Sequence, residues 1–240
     1  GDRPMVTAER VTVRVALLSL AWGDLRLRGV EVTKPSVHLA RPPDGPPNWH
    51  LPKLDGARAD HGRNNVLSGF ERLIVRDATV AYAPAPGGTT HRLDIPRLDG
   101  TSAADGKLDL RGKARFRGTP LTLSGSVGPP HLALVAKHHY PVDLRVTGFG
   151  GTAGVTGTVI DPLGARRLDV KVTLASDAPG GLATRLGLPA PRADRLTVEA
   201  GVTGIDGRFA VRGLDARLGA TEVAGRAVVD TSTRPPRFTG

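Results

Sequence analysis

A chain of 240 residues, 39% of them hydrophobic, holds enough apolar material for a sizeable core, and its 31 glycines and 20 prolines are spread through apolar segments rather than gathered in low-complexity tracts. It has no cysteine, which excludes disulfide scaffolds, thiol catalysis and cysteine-held zinc. A net charge of +10 points to anionic partners, yet the basic residues are scattered singly apart from Arg166-Arg167, and 4% aromatics leaves few platforms for stacking bases, so nucleic acid is not an expected partner.

In chain order, alternation of apolar and polar residues predicts strands at 5–16, 24–32, 36–41, 69–76, 78–83, 90–101, 107–117, 119–127, 142–149, 152–161, 166–175, 194–205, 208–218 and 221–230. Leu168, Val170, Val172 and Leu174 alternating with Arg167, Asp169, Lys171 and Thr173 typify the pattern. Leu17 to Leu20 is expected to form a single helical turn. Residues 41–68, with five prolines, read as a loop, and 128–141 as a second break. The one helix expected lies around 179–188, with Asp177 near its start and Gly187 near its end as caps. Asp105-Gly106 and Asp206-Gly207 are hairpin turns, as are Gly118-Thr119-Pro120 and Gly219-Ala220. Short turns make antiparallel neighbours, so the expected fold class is all-β, a long antiparallel meander with one short helix. No run approaches 18 apolar residues, so no transmembrane helix is expected within the chain. Gly1 is not an initiator methionine and Arg237 to Gly240 reads as the start of a strand; both ends are expected to be cuts in a longer protein.

Fourteen half-apolar strands must cover their apolar faces, and one short helix cannot do it. Two packed sheets, a closed barrel, or a curled sheet holding something else are the solutions. The faces concerned carry Leu108, Leu110, Leu121, Leu123, Val127, Leu144, Val146, Leu168, Val170, Val172, Leu174, Leu196, Val198 and Val202. Their aliphatic character suits a packed core or a groove for acyl chains.

Other chemistry is weakly signalled. Of seven histidines only His131, His138 and His139 cluster, and adjacent residues of a strand face opposite ways, so no metal is expected. Gly148 to Ala153 fits the G-x-G-x-x-A dinucleotide pattern, but a strand-like Gly154-Val155-Thr156 follows where a helix is needed, so it reads as a hairpin. Ser124 and Ser126 flank Gly125 without a G-x-S-x-G elbow. No paired acid and base stands out. No enzyme activity and no cofactor are expected.

One stretch has an identifiable pattern. Leu25 to Val32, then Pro35 to Arg41, then Asp44-Gly45 and Asn48-Trp49 resembles the AsmA family: strand, hairpin through a proline, second strand, and a loop of form Asp-Gly-x-x-Asn-Trp. The preceding 8–20 segment, Phe70 to Tyr82, and Gly112 to Gly125 fit as well, so the resemblance covers most of the chain. Pro46 and Pro47 fill the two variable loop positions. Asp44, Gly45, Asn48 and Trp49 are expected to be structural, the indole plugging the sheet end and Asn48 capping the loop. Trp22 is likewise expected to pack locally.

The resemblance implies a bacterial envelope protein related to bridge-like lipid carriers. It implies anchoring in the inner membrane by an N-terminal helix absent from this chain, and a periplasmic sheet curled into an open apolar groove. The groove would carry or guide phospholipids in support of outer-membrane biogenesis and integrity. Its partners would be phospholipid acyl chains, the inner membrane and envelope proteins. The whole of 1–240 is then one groove fragment, with 1–56 as N-terminal strands and Asn-Trp loop and 57–240 as the main curled sheet. The alternative is a closed β-sandwich that serves as scaffold or protein-interaction module of the envelope.

Overall fold

In a computed structural model, residues 4–16, 27–40, 48, 70–83, 89–134, 138–160, 167–205, 208–230 and 237–239 are described. Fifteen strands and one α-helix account for most of them. The segment Leu17 to Leu20, Trp22, most of the 41–68 loop and the Asp206-Gly207 turn lie outside the described residues. The chain divides into two compact units, residues 1–118 with 129–131, and 119–128 with 132–240.

The first unit holds β1 (Val6–Thr7), β2 (Arg10–Val15), β3 (Leu27–Thr33), β4 (Ser36–Ala40), β5 (Phe70–Ala83), β6 (His91–Ser102) and β7 (Leu108–Phe116). The single strand expected over 5–16 is two, because β1 pairs with β4 and β2 with β3. The two strands expected over 69–76 and 78–83 are one: β5 runs unbroken through Asp77, whose φ of 53° is the left-handed region. At the same level lie Lys34, with φ 48°, and, on β6, Pro96, which has no N–H to give the ladder.

These three points form one fold line, and it explains a shift in the sequence pattern. Leu73 and Val75 are apolar at odd positions, Ala78, Val80 and Tyr82 at even ones. The left-handed residue absorbs the change of phase, so Leu73 and Val75 stay on the same side as Ala78, Val80 and Tyr82, while Ile74 faces the other way. Val80 stands opposite Val37 and Leu93, and Val75 opposite Val32 and Leu98.

The unit also corrects the expected meander. β3 and β4 lie end to end along one edge of β5, and both run parallel to it. The 29-residue connection after Ala40 allows this; a two-residue turn forces antiparallel pairing, a long crossover does not. β5, β6 and β7 pair antiparallel, as expected.

The second unit holds β8 (Thr119–Val127), β9 (His139–Gly148), β10 (Gly151–Ile160), β11 (Arg167–Ser176), α1 (Pro179–Leu186), β12 (Leu196–Ile205), β13 (Arg208–Leu218), β14 (Thr221–Asp230) and β15 (Arg237–Thr239). All eight strands pair in chain order and antiparallel, a pure meander. Among the described residues no pairing closes β8 onto β15. The Gly148 to Ala153 segment forms the expected hairpin, the β9–β10 turn: Phe149 and Gly150 have φ 57° and 78°, the two positive angles that a tight I′ turn requires.

Helix α1 sits where it was expected but starts differently. Its N-cap is Ala178, without a side-chain cap, while Asp177 accepts from Arg195 at 3.1 Å. Ser176 does the anchoring instead: its hydroxyl donates to the Gly150 carbonyl at 2.8 Å and accepts from the Ala178 N–H at 3.1 Å. The far end is as expected, with Gly187 in the left-handed region at φ 79°. Pro179, Leu182 and Ala183 are buried.

Candidate functional site

Residues directly opposite on neighbouring strands share a face of the sheet. In the second unit this rule assembles rows that cross several strands. One row is Leu123, Val146, Ala153, Leu174, Val198 and Ala216. Another is Val127, Val142, Gly157, Val170, Val202 and Val211. Between them lie Gly125, Leu144, Val155, Val172 and Ala200. Flanking rows hold Leu121 with Leu196, and Leu168 with Phe209 across Gly204. The twelve aliphatic positions singled out between Leu121 and Val202 therefore all fall on one face. Leu108 and Leu110 lie in the first unit, on the apolar face of its sheet, where Gly100 faces both Leu108 and Leu73.

The face of the second unit is only partly withdrawn from water. Val170 and Ala200 are buried, at 8% and 6% exposure, while Leu121, Leu123, Val127, Leu144, Val146, Leu168, Val172, Leu174, Leu196, Val198 and Val202 are half-buried. Among the described residues of this unit, one sheet holds every strand, so no second sheet packs over the rows. The buried hydrophobic side chains of the described chain are few: Leu27, Ala78, Leu108, Tyr140, Val170, Leu182, Ala183 and Ala200. Two packed sheets of this size would bury many more.

Sequence reasoning missed part of this face. Val142, Val155 and Val211 stand in the same rows and were not singled out. β10 (GTAGVTGTVI) alternates small residues with threonine, which hides its apolar side. In β13 a register shift between Val211 and Leu214 breaks the period-two signal.

The opposite face of the second unit is close to charge balance. Arg145, Arg167, Lys171, Arg208, Arg212, Arg217 and Arg226 share it with Asp143, Asp169, Glu199, Asp215, Glu222 and Asp230. Lys171 pairs with Glu199 at 2.6 Å, Arg217 with Glu222 at 2.9 Å and Arg208 with Asp230 at 3.2 Å. Two cavities of about 470 and 630 Å³ open on this side, one between Arg167, Ile205, Arg208 and Val228, the other between Arg145, Thr173, Glu199 and Arg217. In the second of these, Glu199 is paired with Lys171 and Asp215 lies 3.4 Å from Arg217, which makes them exposed ion pairs.

The first unit differs on its polar face. Three rows cross β2, β3, β5, β6 and β7: Arg10, Thr33, Arg76, Arg97 and Lys113; Thr12, Glu31, Ile74, Asp99 and Arg111; Arg14, Gly29, Arg72, Thr101 and Asp109. Glu31 accepts from Arg76 at 2.7 Å and lies 3.7 Å from Arg14. Arg97 holds Asp99 through two bonds of 2.6 and 2.7 Å. The hydrogen bond from Arg76 keeps the Glu31 carboxyl below the usual carboxylate range, and the bonds from Arg97 do the same for Asp99.

Of the family-like loop, Asn48 is described; Asp44, Gly45 and Trp49 lie outside the described residues. Asn48 binds the end of β4. Its Oδ1 accepts from the Ala40 N–H at 2.9 Å, its Nδ2 donates to the His38 carbonyl at 2.7 Å, and its own N–H donates to the Ala40 carbonyl at 3.0 Å. Three backbone groups of a short strand are satisfied by one side chain and its peptide. Among the described residues no three His, Asp or Glu side chains stand close enough to hold a metal ion, and no helix is long and apolar enough to cross a membrane.

No protein-family model matches the chain, and no solved structure matches it. It is similar to the AsmA family protein YhjG of Escherichia coli (strain K12), 22% identical over 262 aligned positions that take in 98% of the chain. The chain spans 38% of that relative's length.

Proposed function

We infer, from its membership of the AsmA family, which the similarity along nearly the whole chain supports, that this is an envelope-associated protein whose aliphatic sheet face guides phospholipid acyl chains. The single observation that carries this reading is the half-buried face of the second unit, six strands wide from β8 to β13 and uncovered by a second sheet among the described residues. Each methylene laid against it contributes about 0.8 kcal/mol. Neighbouring rows lie about 7 Å apart along the strands and neighbouring strands about 4.8 Å apart, so a chain leaving one aliphatic contact meets the next. Such a rail holds a lipid without a deep trap. Head groups stay in water at the open side. The reading assigns no catalytic role.

The finer placement follows the family: a periplasmic segment of a protein anchored in the inner membrane, supporting outer-membrane biogenesis and integrity. These are proposals for the longer protein of which this chain is a counterpart.

The test is native mass spectrometry of the purified chain with extraction and identification of bound lipid, beside the double variant Val172→Asp/Val198→Asp. Both positions are half-buried, which spares the variant the cost of a charge at the buried Val170. Phospholipid bound at defined stoichiometry to the parent and lost from a folded variant supports the reading. A parent that stays lipid-free after incubation with phospholipid vesicles overturns it in favour of a scaffold or protein-interaction module.

A further inference from the structure

We propose that the polar face of the first unit docks on the surface of an anionic lipid bilayer. The three rows across β2 to β7 place seven basic residues against Glu31, Asp99 and Asp109. Arg76, Arg97 and Lys113 stand directly opposite one another on three neighbouring strands, an arrangement that like charges disfavour in the absence of a counter-charge. Glu31 and Asp99 neutralise two of them. Among the described residues Arg10, Arg72, Arg111 and Lys113 form no ion pair and are exposed.

The spacing favours a plane of phosphates over a single strand of them. Five strands at about 4.8 Å span about 19 Å, and three rows at about 7 Å add about 14 Å in the other direction. The cations fill this rectangle and follow no line. No described aromatic side chain stands in the three rows, so a nucleic acid would find charge without stacking. The polar face of the second unit, with seven cations against six anions, carries a much smaller excess than the seven against three of the first unit and serves as an internal comparison. The inference rests on charge alone and does not require the acyl-chain reading.

The experiment is flotation of the full 240-residue chain with vesicles of phosphatidylglycerol and phosphatidylcholine mixed in equal parts, against pure phosphatidylcholine, at 50 and 300 mM salt. Binding only to the anionic vesicles, weakened by salt, is expected. Each neutralised cation at such a surface lowers affinity about fivefold, so Arg72→Gln/Lys113→Gln is expected to lose about 25-fold. The pair Arg145→Gln/Arg212→Gln on the polar face of the second unit is expected to bind like the parent. Val172→Asp/Val198→Asp is expected to float normally, which separates this proposal from the acyl-chain reading. Circular dichroism checks that each variant is folded. Equal loss in the Arg145/Arg212 pair, equal binding to neutral vesicles, or displacement by duplex DNA at lower charge concentration than by vesicles would each overturn the proposal.

Discussion

Asn48 and Ala40 exchange two hydrogen bonds: the Asn48 side-chain carbonyl accepts from the Ala40 N–H at 2.9 Å while the Asn48 N–H donates to the Ala40 carbonyl at 3.0 Å. β4 has five residues and ends here, so this contact stands in for a missing strand partner. Replacing Asn48 with Ala orphans the Ala40 N–H and the His38 carbonyl. We predict a loss of about 1–3 kcal/mol, with faster amide exchange at Ala40. Asn48→Asp keeps the acceptor and loses the donor, and is expected to fall between the two in thermal melts.

Gly157 faces Val142 and Val170 in the aliphatic rows, at φ 151°, and an added Cβ would collide with the Asp169 carbonyl oxygen. β10 and β11 therefore cannot keep their spacing with alanine there. Gly157→Ala is predicted to cost about 1–3 kcal/mol, seen as a lower midpoint in urea. Gly118, in a turn with nothing within 4 Å of the added atom, is strained only by its φ of 77° and should cost less.

Tyr140 is buried, and its hydroxyl donates to the Gly128 carbonyl at 2.8 Å. Burial pushes its phenol pKa above the usual value. The folded state therefore keeps a proton that the unfolded chain gives up, so this contribution to stability is present below about pH 10 and falls as pH rises through the folded value. Ultraviolet titration should show one of the two tyrosines ionising late. Tyr140→Phe is predicted to lose about 1 kcal/mol and to flatten the alkaline decline.

Glu31 and Asp99 hold apart the opposed Arg76, Arg97 and Lys113. Their carboxyls are depressed by the neighbouring guanidinium groups, so their stabilisation is present above the ordinary carboxylate range and is lost as pH falls through the folded values. The parent should melt earlier at pH 3 than at pH 6. In Glu31→Gln, added salt at neutral pH is expected to raise the melting temperature more than in the parent, because it screens the uncovered repulsion. A variant indifferent to salt would show that the cationic row is already relaxed by solvent.

The fold class was legible because a strand writes its two faces into alternating residues. Leu168 to Leu174 and Leu196 to Val202 each declared a side, and the predicted positions of the second unit landed together. What failed were the places where backbone geometry changes the phase. Asp77 reads as a break between strands, but a left-handed residue inside one strand does the same to the pattern. The parallel seating of β3 and β4 against β5 left no mark in their residues, since pairing partner is a long-range choice made after the 29-residue connection. Asp177 looked like a helix cap because capping residues are recognised by type, whereas Arg195, eighteen residues on, engages it instead.

Local chemistry by itself determined the strands, the tight turns, the helix stop at Gly187 and the apolar side of each segment, because these depend on side-chain period and on backbone angles within a few residues. Only the tertiary structure decided which strands lie side by side. Register is a property of two segments at once, and register turns scattered arginines into the Arg76, Arg97 and Lys113 row, and scattered valines and leucines into one continuous aliphatic face.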